Sequence, residues 1–136
     1  MTTEAPSPEY VVRLRSRHDF DATIHRITHA LTTRGITIFA DIDQAQAAAR
    51  AGTALRPTRL ILFGNPKVGT PIMAANPHTA VELPLKAVVW QDEQGGVNVD
   101  YLDPSVLLTK GYATHQSLTS AFQPLLHLFE QATGAA

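Results

Sequence analysis

Leu60-Ile61-Leu62-Phe63-Gly64-Asn65-Pro66-Lys67-Val68-Gly69-Thr70-Pro71-Ile72-Met73 is an apolar run that breaks at a turn and resumes. Leu60 to Phe63 has the length of a buried strand, begun by Thr58. Gly64-Asn65-Pro66 ends it. Lys67-Val68-Gly69 then reads as a turn, and Thr70-Pro71 predicts a helix start, with Thr as N-cap and Pro as first helical residue. That helix runs Pro71 to Ala75 and closes at Asn76-Pro77.

Upstream, Tyr10 to Arg15 reads as a strand with Tyr10, Val12 and Leu14 on one face. Asp19 or Asp21 caps a helix running to about Arg34, with an apolar stripe of Phe20, Ile24, Ile27 and Leu31 and Gly35 past its end. Ile36 to Ile42 alternates, placing Ile36, Ile38, Ala40 and Ile42 on one side and Thr37, Phe39 and Asp41 on the other. Asp43 with Gln46 has the form of a capping box before an Ala-rich helix that stops at Gly52. Downstream, Leu85 to Gln91 is a strand, Asp92 to Gly96 a hairpin loop, and Val97 to Tyr101 the return strand. Asp103-Pro104 caps a helix to about Lys110, ended by Gly111. Thr114 to Gln131 has helical spacing of apolar residues, with Pro124 kinking or dividing it, and Thr133 to Ala136 is expected to fray.

This order of strands, hairpin and helices predicts an α+β fold, a largely antiparallel sheet with helices packed on one face. The first strand–helix–strand unit can run its strands parallel through a right-handed crossover. Residues 1–8 read as a disordered tail and 9–133 as a single domain, with no repeat and no linker.

With 136 residues, a net charge of −1 and no basic stripe, the chain does not read as a nucleic-acid binder. Arg13-Leu14-Arg15-Ser16-Arg17-His18 is its most basic segment and alternates like the wet face of an edge strand. The absence of cysteine excludes disulfides, thiolate catalysis and Cys-based metal sites. No signal peptide and no apolar run of about 20 residues is present, so no membrane span is expected and the location is read as cytoplasmic.

The Phe63-to-Met73 stretch, with Glu82-Leu83-Pro84-Leu85-Lys86 and Tyr101-Leu102-Asp103-Pro104, resembles the domain of unknown function 302 family. The resemblance runs from about Phe20 to Tyr101. It implies a TATA-binding-protein-like topology and a homodimer. Family members commonly show a His just after the Asp of the second strand, where this chain has Gln44, and Asp-Leu-Pro where it has Glu82-Leu83-Pro84.

Three constellations can carry chemistry. Backbone amides of Gly64, Asn65 and Gly69, with Lys67 and Thr70, form a candidate site for a small polar or anionic ligand; the same residues also read as a tight turn into a helix. Asp41, Asp43, Glu82 and Asp103 are carboxylates expected near one sheet end, where Asp43 or Glu82 can act as acceptor or, with Lys67, in acid–base catalysis; Asp43 and Asp103 also read as N-caps. His25 and His29, four apart on a helix with His18 near the same azimuth, can clamp a metal or be a surface pair. No nucleophile elbow and no dinucleotide loop is present. The leading expectation is a homodimeric ligand-binding module without catalysis. An acid–base enzyme, an interaction domain and a metal-handling protein are the alternatives, and no cofactor or resident metal is assigned.

Overall fold

The computed structural model describes residues 5–135. The tail expected over 1–8 therefore lies partly outside the described residues, as does Ala136. Five strands, β1 (Val11–Arg15), β2 (Thr37–Asp43), β3 (Thr58–Gly64), β4 (Leu85–Gln91) and β5 (Val97–Leu102), form one antiparallel sheet in the order β1-β5-β4-β3-β2. Six helices accompany them: α1 (Phe20–Thr33), α2 (Gln44–Arg50), α3 (Pro66–Ala75), α4 (Pro104–Tyr112), α5 (Gln116–Thr119) and α6 (Pro124–Thr133). The α+β reading holds. β1 and β2 do run the same way, but at opposite edges of the sheet, so α1 crosses the whole of it rather than linking neighbours.

Opposed residues of an antiparallel pair share a face, which assigns each side chain. Ile61 and Phe63, Ala87 and Val89, Val99 and Tyr101 are buried on one face. They pack against Ile24, Ile27 and Leu31 of α1 and Leu125, Leu128, Phe129 and Ala132 of α6. Phe129 is the hub: its ring lies 4.6 Å from that of Tyr101 and 5.9 Å, edge-on, from that of Phe63. Burial lifts the Tyr101 phenol to about 12, so it stays neutral in the core. The opposite face carries Val11, Leu60, Leu62, Val88, Trp90 and Leu102, half-buried, and no helix residue of that core packs on it among the described residues.

Four local expectations change. α3 begins at Pro66, five residues early, because Asn65 rather than Thr70 is the N-cap. β2 is bulged at Phe39: Ile38 opposes Phe63 but Ala40 opposes Leu62, so Ala40 and Ile42 turn to the uncovered face, away from Ile38. Gly111 lies inside α4, which ends instead at Ala113 in the left-handed region (φ 53°). Thr133 does not fray; it is fully buried, and its Oγ1 donates to the Phe129 carbonyl at 2.8 Å. Pro124 divides the last segment and becomes the first residue of α6.

The β4–β5 hairpin is closed by Asp92, whose Oδ1 accepts from Gly96 N (2.8 Å) and Gln94 N (3.0 Å), while Oδ2 meets Arg15 at 3.1 Å. These backbone bonds, Gly96 foremost, pull the Asp92 carboxyl below its ordinary value. A lowered native pKa adds stability that is complete above the unfolded value and is lost as pH falls through the native one. Asp92→Asn should therefore lower Tm by a constant amount at neutral pH, and the gap should close below about pH 4, as thermal melts across that range would show. Phe129→Ala should cost about 3–5 kcal/mol in denaturant unfolding, since it empties the centre of the core.

Candidate functional site

Where β3 ends, the chain cannot continue as strand past Pro66, and Asn65 starts a helix in its place. Asn65 Oδ1 accepts from Lys67 N at 3.0 Å, and the Asn65 carbonyl accepts from Val68 N and Gly69 N, both at 2.9 Å. Pro66 has no N–H. The first turn of α3 thus has every amide committed, and the amide of Gly69 is not available to a ligand as the sequence suggested.

Beside this turn lies a cavity of about 220 Å³. Gly64, Asn65, Gly69 and Thr70 line one side, together with Met73. Phe39, Leu83, Pro84, Leu85 and Phe122 supply the rest, with Pro66 at the turn. The lining is overwhelmingly apolar. Its polar side chains are those of Asn65 and Thr70, whose Nδ2 and Oγ1 have no hydrogen-bond partner among the described residues. The bulge brings Phe39 to this place: 52% exposed, it leans over Gly64, where an added Cβ would stand 3.4 Å from its ring and 3.9 Å from Pro84. Phe39 and Phe122 escaped the sequence reading. The one signal was an aromatic on the wet side of β2, because Phe122 looked like part of a helical stripe.

The remaining candidates do not converge on the cavity. Lys67 is exposed on α3 and forms no ion pair among the described residues. Asp43 opposes Arg59 at the far end of β2 from the Gly64–Thr37 pair, about 20 Å away at strand rise, and caps α2 through a 2.8 Å bond from Gln46 N. Asp41 holds Arg59 through two bonds, to Nε at 2.8 Å and Nη2 at 2.6 Å, and that hydrogen-bonded pairing raises the guanidinium pKa. Asp103 caps α4. Glu82 accepts from the Tyr112 hydroxyl at 2.8 Å, a bond that raises the tyrosine pKa. The carboxylates expected near one sheet end are therefore split, with Asp43 at one end, Glu82 and Asp103 at the other. His25 and His29 stack at 6.3 Å, but no group of three His, Cys, Asp or Glu with metal-holding spacing occurs among the described residues.

Residues 12–132 match the family described as Domain of unknown function DUF302. The chain belongs to this family. A DUF302 protein of Bacillus stearothermophilus, described as an uncharacterized conserved protein, has a similar solved structure: TM-score 0.76, 16% identity, covering 94% of this chain and 98% of that one. At that identity the likeness speaks for the fold alone. Two curated relatives are Fluoride-specific ion channel FluC 1 of Brucella suis biovar 1 and of Brucella abortus biovar 1. Each is 36% identical over 97 residues, or 71% of this chain, but only 38% and 36% of the relatives themselves. The chain thus spans less than two-fifths of their length. No helix among its own described residues is long and apolar enough to cross a membrane.

Gly69 sits inside α3, where an added Cβ would make ordinary contacts with Leu83 (3.7 Å) and Met73 (3.9 Å). Gly69→Ala should stabilise the DUF302 domain by about 0.5–1 kcal/mol, read from denaturant midpoints; were Gly69 part of a flexible turn, the change would destabilise.

Proposed function

We propose that this DUF302 domain binds a small molecule in the Phe39–Phe122 cavity. Its ligand is an apolar ring or short chain carrying one hydrogen-bond acceptor. The observation that supports this is an apolar pocket whose lining includes two polar side chains, Asn65 and Thr70, with Nδ2 and Oγ1 uncommitted to any partner among the described residues. The anionic ligand suggested by the sequence fits less well, because the helix amides are already used. Acid–base catalysis by Asp43, Glu82 and Lys67 fits less well too, since Asp43 stands at the other end of the sheet. An NMR titration with benzamide, and with benzene as its acceptor-free control, tests the reading. Benzamide should shift the Gly64, Asn65 and Thr70 amides saturably and bind more tightly than benzene. Gly64→Val, which fills the space under Phe39, should abolish both. Binding unaffected by that change would remove the site.

The uncovered sheet face supports the second part of the proposal, a homodimer. Leu60, Leu62, Val88 and Leu102 lie there side by side, and its charges are largely neutralised internally, Arg13 lying 3.3 Å from Asp100. Trp90 on the same face donates to Asp100 at 3.0 Å and lies under Arg13 and Arg56. In sedimentation, the wild-type chain should run as a dimer and Val88→Glu as a folded monomer. A monomeric wild type would end the dimer reading. The fluoride-channel likeness favours one further role, service as a ligand-binding attachment to such a channel. A fluoride channel co-expressed with this chain should then co-purify with it.

A further inference from the structure

A second cleft lies on the helical side of the molecule and shares no residue with the first. It is a groove of about 270 Å³ between α1 and α6, lined by Arg26, His29, Thr33 and Arg34 on one wall and Leu128 and Gln131 on the other. From this cleft we infer that the chain carries a binding site for a tetrahedral oxyanion of the phosphate-monoester class.

Three observations converge on it. First, four arginines are matched with carboxylates: Arg13 with Asp100, Arg15 with Asp92, Arg56 with Glu93 and Arg59 with Asp41. Arg26 and Arg34 have no carboxylate within 4 Å among the described residues. Second, both guanidinium groups are held in place by backbone. Arg26 Nε donates to the Ala132 carbonyl at 2.8 Å, which pins the group between the helices and leaves both Nη atoms without a hydrogen-bond partner among the described residues. Arg34 folds back one turn, its Nη1 donating to the Ala30 carbonyl at 3.3 Å. This holds its guanidinium against the last turn of α1, on the same wall of the cleft as Arg26. Third, the Gln131 side chain on the facing helix makes no hydrogen bond among the described residues, and His29 stands between the arginines.

Donors thus face the groove from both walls. A carboxylate satisfies one arginine through a planar fork, whereas several donors arriving from different directions suit the three free oxygens of a phosphate monoester. Both arginines also have a structural task, since cations near the ends of α6 and α1 answer the C-terminal helix dipoles. That task uses one N–H of each and leaves the others for a ligand.

The experiment is an NMR titration of the full chain with inorganic phosphate, phenyl phosphate and acetate. Phosphate and phenyl phosphate should shift amides of Arg26 to Arg34 and of Gln131 to Thr133 saturably, with acetate weaker. Tighter binding of phenyl phosphate than of phosphate assigns the site to esters, and the reverse assigns it to the free ion. Gln131→Glu leaves both arginines untouched on an exposed surface and places a competing carboxylate in the groove; it should weaken phosphate about tenfold or more. Arg34→Gln should weaken it similarly, while Lys67→Ala and Gly64→Val should leave it unchanged. Shifts spread over the whole surface, or phosphate binding unaltered in Gln131→Glu, would overturn the site. Loss of benzamide binding in Gly64→Val bears only on the other pocket, so the two proposals stand or fall separately.

Discussion

The placement of β1 beside β5, with β2 at the far edge, is the constraint from which the rest of the molecule follows. The two strands run in the same direction and are joined by one helix, so that helix must cross the full width of the sheet. Because β1 and β2 run the same way, β1 ends at the opposite end of the sheet from where β2 begins, so the 14 residues of α1, rising about 21 Å, also carry the chain back along the strands. Because β1 finds its partner only in the last strand, the sheet closes late in the chain, and α6 then returns to fill the space beside α1.

Both long helices lie on one face, and this one-sidedness divides the molecule. The helix side has a dry core around Phe129, together with a solvent-facing cleft in which Arg26 and Arg34 stay unmatched by carboxylates. The other side keeps an apolar sheet surface whose polar members, Arg13, Asp100 and Trp90, are bound to one another. A charge paired within its own face leaves little to attract small ions there. Lys86, on the same face, has no carboxylate partner among the described residues and donates instead to the Glu82 and Pro84 carbonyls.

Much of this was legible in the sequence. Leu85–Gln91 was readable to the residue, because a continuous apolar run flanked by Pro84 and a five-residue turn admits one interpretation. Asp43 and Asp103 were readable as caps, since each stands just before a helical pattern, and Asp19 was one of two candidates with Asp21. The start of α3 was not. Asn65-Pro66 and Thr70-Pro71 carry the same cap-then-proline signature, and nothing local chooses between them. The earlier start adds a turn of helix. Pro71 is tolerated within it because the carbonyl it leaves unpaired belongs to exposed Lys67. The bulge at Phe39 was hidden for a different reason: one extra residue reverses the faces of all that follows without altering composition. Strand order was hidden altogether, and with it the separation of Asp43 from Glu82.

The turn that carries the resemblance to DUF302 therefore has a structural explanation. Asn65 uses its side-chain oxygen and its carbonyl to satisfy three amides, so the motif builds a helix N-terminus and has little left with which to hold an anion. Only its Nδ2 has no partner among the described residues. Under the proposed reading, selectivity resides in the rest of the lining, in Phe39, Leu83 and Phe122, which come from three distant parts of the chain. A motif that specifies how a strand becomes a helix does not specify those walls. Two proteins can share the turn, and the fold built on it, while their cavities accept different molecules.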